Sequence, residues 1–264
     1  MSCPVSVCII ARDEAERLPR CLAALGFAGE VVVVVDDRTR DASAEIARAH
    51  GARVELRRYD GNIAQKSHAL GLARHEWVLE LDADEVVTPE LAREVEGVVA
   101  EDAPDCSVYE VNRITFHLGR WIRHGAFFPD WVPRLYRRSQ VRWAGVDPHG
   151  HVVADGPVRR LPGLLLHYSY RDLRDQMARV QTFSEQSALD LRRRGRRARL
   201  ADLTLRPPLR FLRDYVVKAG FLDGVPGLVI AGVSAFHVFL KYAKLWELER
   251  GHAREAGAEP AGRG

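Results

Sequence analysis

The chain has only four cysteines, Cys3, Cys8, Cys21 and Cys106, with no CxxC pair and no histidine at zinc-site spacing. Buried thiols in a reducing compartment are therefore expected in preference to a disulfide frame or a structural zinc site. Glycine-rich phosphate cradles are missing too. No G-x-G-x-x-G follows the first apolar run and no G-x-x-x-x-G-K-[ST] occurs anywhere, although a dinucleotide fold or a P-loop nucleotidase would each require one. A formal net charge of only +3 does not by itself argue for nucleic acid as the partner. No basic leader precedes the apolar residues 5–11, so the expectation is a cytosolic chain without a signal peptide.

Apolar and charged residues are plentiful. At 264 residues, 47% hydrophobic and 28% charged, the chain can bury a substantial core, with one domain plus an appendage as the default. Residues 5–11 (V-S-V-C-I-I-A) read as a strand, and Leu18, Cys21, Leu22 and Leu25 then switch to helical spacing. Residues 31–35 are all valine; a run apolar on both sides suits a central parallel strand covered by helices. The next helix carries Ile46 and Ala47 and closes near Gly51. Residues 53–57, 65–73 and 77–81 then give strand, helix and strand. This alternation predicts an open α/β sheet with crossover connections and helices on both faces, whose ligands sit beyond the carboxyl ends of the strands.

Three acidic clusters fall at those ends: Arg12-Asp13-Glu14, Asp36-Asp37 and Asp82-Ala83-Asp84. A solvated turn would explain any one of them, and the last could simply lead into the helix that Thr88 and Pro89 start. Three on one edge favour a shared cleft. Side chains two apart on an extended backbone point the same way, so Asp82 and Asp84 can aim both carboxylates at one hard cation, Mg²⁺ or Mn²⁺.

Four blocks carry a resemblance: V-S-V-C-I-I-A-R-D-E-A, V-V-V-D-D-R-T-R-D, Q-K-S-H-A-L-G-L-A and W-V-L-E-L-D-A-D-E. In this order they resemble the family 2 glycosyltransferases of the GT-A, nucleotide-sugar-binding fold, and within them the bacterial lipopolysaccharide-core and cell-envelope sugar transferases. The resemblance covers roughly residues 4–170. It implies that Ala11, Arg12 and Glu14 line the uridine site, with Asp13 standing for the family's Asn and Ala11 for its Thr. It further implies that Asp36 and Asp37 meet base and ribose, that Lys66 approaches the nucleotide, and that Asp82 and Asp84 form the D-x-D metal motif. The same resemblance implies that Asp84 is the more direct ligand and that Asp82 also lies near the nucleotide.

Sugar transfer from a nucleotide donor leaves negative charge on a diphosphate, which a divalent cation offsets. The accepting hydroxyl must lose a proton to a base on the opposite side, as in an inverting glycosidase, so inversion is expected. The segment G-V-D-P-H-G-H supplies two candidates, Asp147 and His149, with an Asp-Pro turn as the plain alternative. Trp121 and Trp131 could stack on a sugar. His167, after Leu164-Leu165-Leu166, could reach the metal, although a lone histidine there is more often structural.

From Tyr170 the pattern turns helical, with a stripe at Leu173, Met177, Val180, Ser184, Ala188 and Leu191 leading into an arginine run over residues 192–199. Residues 225–240 carry no formal charge but fall short of the roughly 20 apolar residues of a spanning helix. Two readings stand equal: an interfacial appendage facing an anionic membrane, or helices packed on the catalytic domain or on a second copy in a homodimer. The expected layout is a GT-A domain over 1–170, divided near residue 100 into nucleotide and acceptor halves, a helical region over 171–250 and a disordered tail over 251–264. The leading function is a metal-dependent, inverting transferase that takes a nucleotide-sugar donor, with UDP expected, to a lipid-linked or envelope glycan acceptor, peripheral on the cytosolic side of the membrane. A sugar nucleotidyltransferase is a rival that would want a basic, glycine-rich loop where Arg12-Asp13-Glu14 stands. A membrane-surface or nucleic-acid binding module is the other rival, with nucleic acid the weaker of its two partners.

Overall fold

The computed structural model describes residues 2–102, 106–145, 150–154 and 156–257. The chain divides into two compact units, one made of Met1–Thr115 with Pro129–Ser169, the other of Phe116–Phe128 with Tyr170–Gly264.

The first unit opens with β1 (Cys3–Ala11), α1 (Leu18–Ala23), β2 (Ala28–Asp36), α2 (Ser43–Ala49), β3 (Arg53–Arg57), α3 (Asn62–Leu72) and β4 (Trp77–Asp82). It continues through β5 (Glu85–Val87), α4 (Pro89–Glu101) and β6 (Val108–His117). Its remaining strands are β8 (Trp131–Arg137), β9 (Val141–Ala144), β10 (His151–Ala154) and β11 (Val158–His167), while a two-residue strand, β7 (Arg120–Trp121), pairs with Phe116 and His117 within the second unit. The main sheet runs β3-β2-β1-β4-β8-β6-β11-β5, and β9 and β10 form a separate hairpin. Strands β3, β2, β1 and β4 are mutually parallel, as the alternating pattern predicts, whereas β8 enters antiparallel to β4 and β5 antiparallel to β11. The result is a mixed open sheet flanked by helices.

Alternation along the valine run explains why these strands are covered twice. Val33 and Val35 join Val7, Ile9, Leu79 and Leu81 in one core with Leu18, Leu22, Leu91 and Val95. Val32 and Val34 point the other way, against Val78, Ala69 and Leu70. Helix α4 presents Leu91, Val95 and Val99, one per turn, to the first of these cores; each such burial contributes about 1.5–3 kcal/mol. Its start is fixed by Thr88, whose hydroxyl accepts a hydrogen bond from the Leu91 amide at 3.2 Å. All four cysteines are buried and free.

The second unit is helical: α5 (Leu173–Arg193), α6 (Leu200–Thr204), α7 (Arg206–Leu212), a π turn (Arg213–Val217), a 3₁₀ turn (Gly220–Asp223) and the long α8 (Gly224–Gly257). Asp172 caps α5 by accepting from the Asp175 amide at 2.7 Å, and the arginine run begins at the carboxyl end of the helix, where cations suit the dipole. Ala188, Tyr242 and Leu245 form the core between α5 and α8. Gly227 lies so close to the Gly220 carbonyl that a Cβ would come within 1.9 Å, so only glycine fits there. The buried Asp223 carboxylate accepts from the amides of Arg123 (3.0 Å) and His124 (2.7 Å), which ties residues 116–128 into this unit. Helix α8 continues well past the uncharged stretch, and residues 220–250 are long and apolar enough to cross a membrane by length and composition alone.

Candidate functional site

Parallel pairing aligns Ala11 with Val35 and Ile10 with Asp82, so the acidic clusters following β1, β2 and β4 emerge along one edge of the sheet. At the first of them Asp13 adopts φ +53°, in the left-handed region that Asp and Asn tolerate better than other side chains. This accounts for an Asp where the family has an Asn. The Asp13 carboxylate accepts from the Arg40 amide at 2.8 Å, and the Glu14 amide donates to Ser43 Oγ at 2.9 Å, so loops after β1 and β2 hold each other. Ala11 is buried, the Glu14 carboxylate pairs with Arg17 at 3.1 Å, and Arg12 Nε lies 3.6 Å from Asp36.

Asp36 is buried, and both its oxygens are engaged by Arg38, at 3.0 Å from Nε and 2.8 Å from Nη2. These Arg38 hydrogen bonds hold its pKa down, to about 2. Asp37 is exposed, its amide donating to the Arg57 carbonyl at 3.2 Å. Of the two acids, Asp37 is thus the one with a free approach from solvent.

The densest charge lies on and just beyond β4. Lys66 Nζ, carried by α3, donates to Glu80 Oε1 at 2.8 Å and to Asp82 Oδ1 at 3.0 Å. From β8, Arg134 Nη2 donates to Asp82 Oδ2 at 2.7 Å and to Glu85 Oε1 at 2.5 Å. Arg113 on β6 joins Glu85 (3.0 Å) to Asp130 (2.8 Å). Glu80 also accepts from Tyr136 Oη and from Trp143 Nε1 at 3.0 Å, and Lys66 lies 5.0 Å from the Trp143 ring centre. Burial alone would raise the pKa of Asp82, but Arg134 and Lys66 outweigh it and keep the group ionised far into acid.

Asp84 has a different neighbour. Antiparallel pairing of β11 with β5 puts His167 opposite Glu85, and His167 Nε2 stands 3.5 Å from Asp84 Oδ2. Thr115 Oγ1 contacts the other ring nitrogen at 3.2 Å, and the Tyr168 amide donates to the Asp84 carbonyl at 2.9 Å. Burial pushes the Asp84 pKa up, while the His167 contact more than offsets it, for a net lowering. A carboxylate and an imidazole fixed from behind by a hydroxyl form a donor pair suited to a divalent cation. Among the described residues no three His, Cys, Asp or Glu side chains gather into a ready cage, so a cation at this pair would draw further ligands from a bound nucleotide. Asp82, with both oxygens already in ion pairs, is less available than Asp84.

Asp147 and His149 lie outside the described residues. Trp143, on the preceding strand, is the nearest described side chain with a known link to the site, through Glu80 and Lys66. Sequence spacing missed Arg113, Arg134 and Glu85. Glu80 could have been found, because it lies two residues before Asp82 on the same strand and so shares its face, whereas Ala83 and Asp84 turn away from the strand.

A half-parallel open sheet with paired acids at the end of its fourth strand and a basic side chain against them fits an α/β transferase. The chain belongs to Glycosyl transferase family 2, whose model matches residues 6–160, and its fold is of the GT-A type. It is similar to an uncharacterized glycosyltransferase of Rickettsia typhi, with 28% identity over 92% of this chain and 87% of that one. It is also similar to the lipopolysaccharide core biosynthesis glycosyltransferase LpsC of Rhizobium meliloti, with 26% identity over 92% of each. Among solved structures, S. aureus TarS 1–349 in complex with UDP-GlcNAc overlays with TM-score 0.49 at 15% identity, covering 96% of this chain and 92% of that one. A glucosyl-3-phosphoglycerate synthase from Mycobacterium tuberculosis, solved with Mn²⁺ and uridine diphosphate, gives TM-score 0.36 at 17% identity; this chain spans 43% of it.

Proposed function

We propose that this protein is an inverting glycosyltransferase that moves a sugar from a nucleoside-diphosphate donor, UDP-linked in the first instance, to a lipid-linked or glycan hydroxyl of the cell envelope. The observation that carries the proposal is the pair of neighbouring assemblies at the end of β4: Lys66 on Asp82, and His167 against Asp84. The similarity to LpsC supports an envelope acceptor.

Lys66 and Arg134 are held close to the site by carboxylates, so their charge is oriented before a donor arrives. Asp84 and His167 would hold a divalent cation, which when bound supplies Lewis-acid compensation for the charge appearing on the diphosphate. Asp37 is free to meet the nucleoside, with Arg12 and Glu14 on the neighbouring loop. Asp147 or His149 takes the proton of the accepting hydroxyl, on the opposite side of the sugar from the leaving group. The second unit presents exposed apolar side chains beside arginines, which supports a peripheral position on the cytosolic side of the membrane.

A screen of nucleotide sugars that follows release of nucleoside diphosphate, run with Mn²⁺, with Mg²⁺ and with chelator, tests the reading. Turnover that needs the cation and is lost in Asp84→Asn is expected. Unimpaired turnover in that variant, or under chelation, would overturn the metal-assisted mechanism.

A further inference from the structure

Helix α7 and the π turn after it carry two stripes side by side. Leu205, Leu209, Leu212 and Val216 recur at helical spacing and are all at least half exposed, from 50% for Leu212 to 62% for Leu209. A helix whose apolar stripe faces solvent has an unmet partner. Arg206, Arg210 and Arg213 form the adjacent stripe. Together with Lys241 of α8 they line a cavity of about 350 Å³ that Leu209 and Tyr242 help to wall.

The charges in this cavity do not balance. Asp202 receives Arg206 at 2.5 Å, while Asp214 receives Arg210 and, at 3.2 Å, Arg213. Two carboxylates therefore face four cations. Among the described residues Lys241 makes no salt bridge; its ammonium lies 4.9 Å from the Tyr242 ring centre. Burial, reinforced by Arg206 and Arg210 and only partly opposed by Asp202, depresses the Lys241 pKa. Guanidinium groups match phosphate oxygens two at a time, and an ammonium adds a point charge. Phe221, Leu222, Val225 and Leu228, exposed on the adjoining turn and the start of α8, extend the apolar rim.

We infer that the cavity lined by Arg206, Arg210, Arg213 and Lys241 is a binding site for the phosphate of an anionic phospholipid headgroup, with the leucine stripe of α7 entering the acyl boundary beside it. The site rests on the peripheral membrane position proposed above and gives it a discrete anchor. The uncharged rim selects a lipid over a free phosphate, because inorganic phosphate would leave that apolar surface in water. Spread-out attraction between the arginine run and anionic lipids would need no cavity.

The test is co-sedimentation of the full chain with vesicles of phosphatidylcholine alone and of phosphatidylcholine with phosphatidylglycerol. It compares wild type, the double variant Arg213→Gln/Lys241→Gln, and Arg193→Gln/Arg194→Gln, which removes the same charge from the arginine run. Circular dichroism confirms that each is folded. The site predicts binding to the phosphatidylglycerol vesicles only, weakened about tenfold or more by the cavity variant and no more than about threefold by the control. Equal losses in the two variants, equal binding to neutral vesicles, or release of wild type from the anionic vesicles by millimolar inorganic phosphate but not by chloride at the same ionic strength would each overturn it. Wild type that ignores every vesicle would remove the peripheral position as well, whereas selective wild-type binding that survives the cavity variant removes the site alone. Nucleoside diphosphate release from a water-soluble donor and acceptor should be unchanged in both variants.

Discussion

His167 Nε2 lies 3.5 Å from Asp84 Oδ2, brought there by the pairing of β11 with β5 rather than by anything local to the D-A-D-E segment. If the pair holds the cation, Asp84→Asn and His167→Ala should each lower kcat by about 100-fold or more, since even residues behind a metal's ligands are typically worth 10–100-fold. Both should also raise the Mn²⁺ concentration needed for half-maximal rate. A steady-state titration with Mn²⁺ measures the two effects together, and an unchanged metal requirement in His167→Ala would remove the histidine from the site.

Asp82 should behave differently from Asp84 when its charge is removed. Its side chain ties Lys66 to Arg134, both largely buried, so Asp82→Asn leaves two cations short of a partner as well as disturbing the donor site. The expected result is a loss of activity together with about 1–3 kcal/mol of stability, kept below the figure for a fully buried pair because Asp82 is 33% exposed. Asp84→Asn should unfold within about 1 kcal/mol of wild type. Urea denaturation of the two variants side by side separates the roles.

Arg134 is the most heavily committed cation in the first unit, with Glu80, Asp82 and Glu85 around one guanidinium that is almost wholly buried. Arg134→Met should cost about 3–5 kcal/mol, because three carboxylates then share Lys66 and Arg113 alone. At ordinary denaturant sensitivity that is a fall of about 1 M or more in the urea midpoint. A shift under about 0.2 M would mean that the neighbouring carboxylates take up protons or water at little cost.

The parallel half of the sheet was legible because runs such as residues 31–35 are apolar at every position, and only a doubly covered strand accommodates that. Thr88-Pro89 marked the start of α4 by chemistry confined to one turn. The antiparallel half was harder to read, and with it half of the site. Arg134 reaches Asp82 on β4, Arg113 reaches Glu85 on β5 and His167 reaches Asp84 between them, each through strand partners chosen over long sequence separations, and their own neighbours carry no matching pattern. Asp36 shows a different limit: an acid at a strand end reads as a ligand group, yet Arg38 two residues on takes both its oxygens. In the second unit the absence of charge over residues 225–240 was visible, but the continuation of α8 was not. Lys244 lies within that helix, and its ammonium donates to the Gln181 carbonyl at 2.7 Å.

Acid should loosen the second unit through His117. This side chain is 1% exposed and bonds Gln176 Oε1 through Nε2 at 2.9 Å, beside the rings of Tyr170 and Phe127. Burial lowers its pKa, and the Gln176 contact only partly opposes this. The unfolded chain therefore binds the proton more readily than the folded one. Stability is complete above the ordinary histidine value of about 6.5 and declines as pH falls below it toward the folded value. His117→Phe cannot titrate, so its Tm should fall less than that of wild type between pH 7.5 and pH 5.5. Parallel Tm losses in the two proteins would show that His117 carries none of the effect.

The base can be assigned by splitting transfer from donor handling. The hairpin of β9 and β10 pairs Ala144 with His151, the residues that precede and follow Asp147 and His149 in the sequence. On its first strand Trp143 donates to Glu80 and lies beside Lys66, whose charge serves the diphosphate side of the proposed site. A base must act on the acceptor and leave the donor's ground-state contacts alone. Replacing it should therefore lower kcat by about 10²–10⁴ with little change in the donor KM. It should also remove the acid limb of the pH profile of kcat, the fall in rate as the base becomes protonated. Asp147→Asn and His149→Gln are the two variants to compare. The one showing the kcat loss with an unchanged KM is the base, and the other should stay within about tenfold of wild type. If both keep most of their rate, the Asp-Pro segment is a turn and the proton leaves by another route.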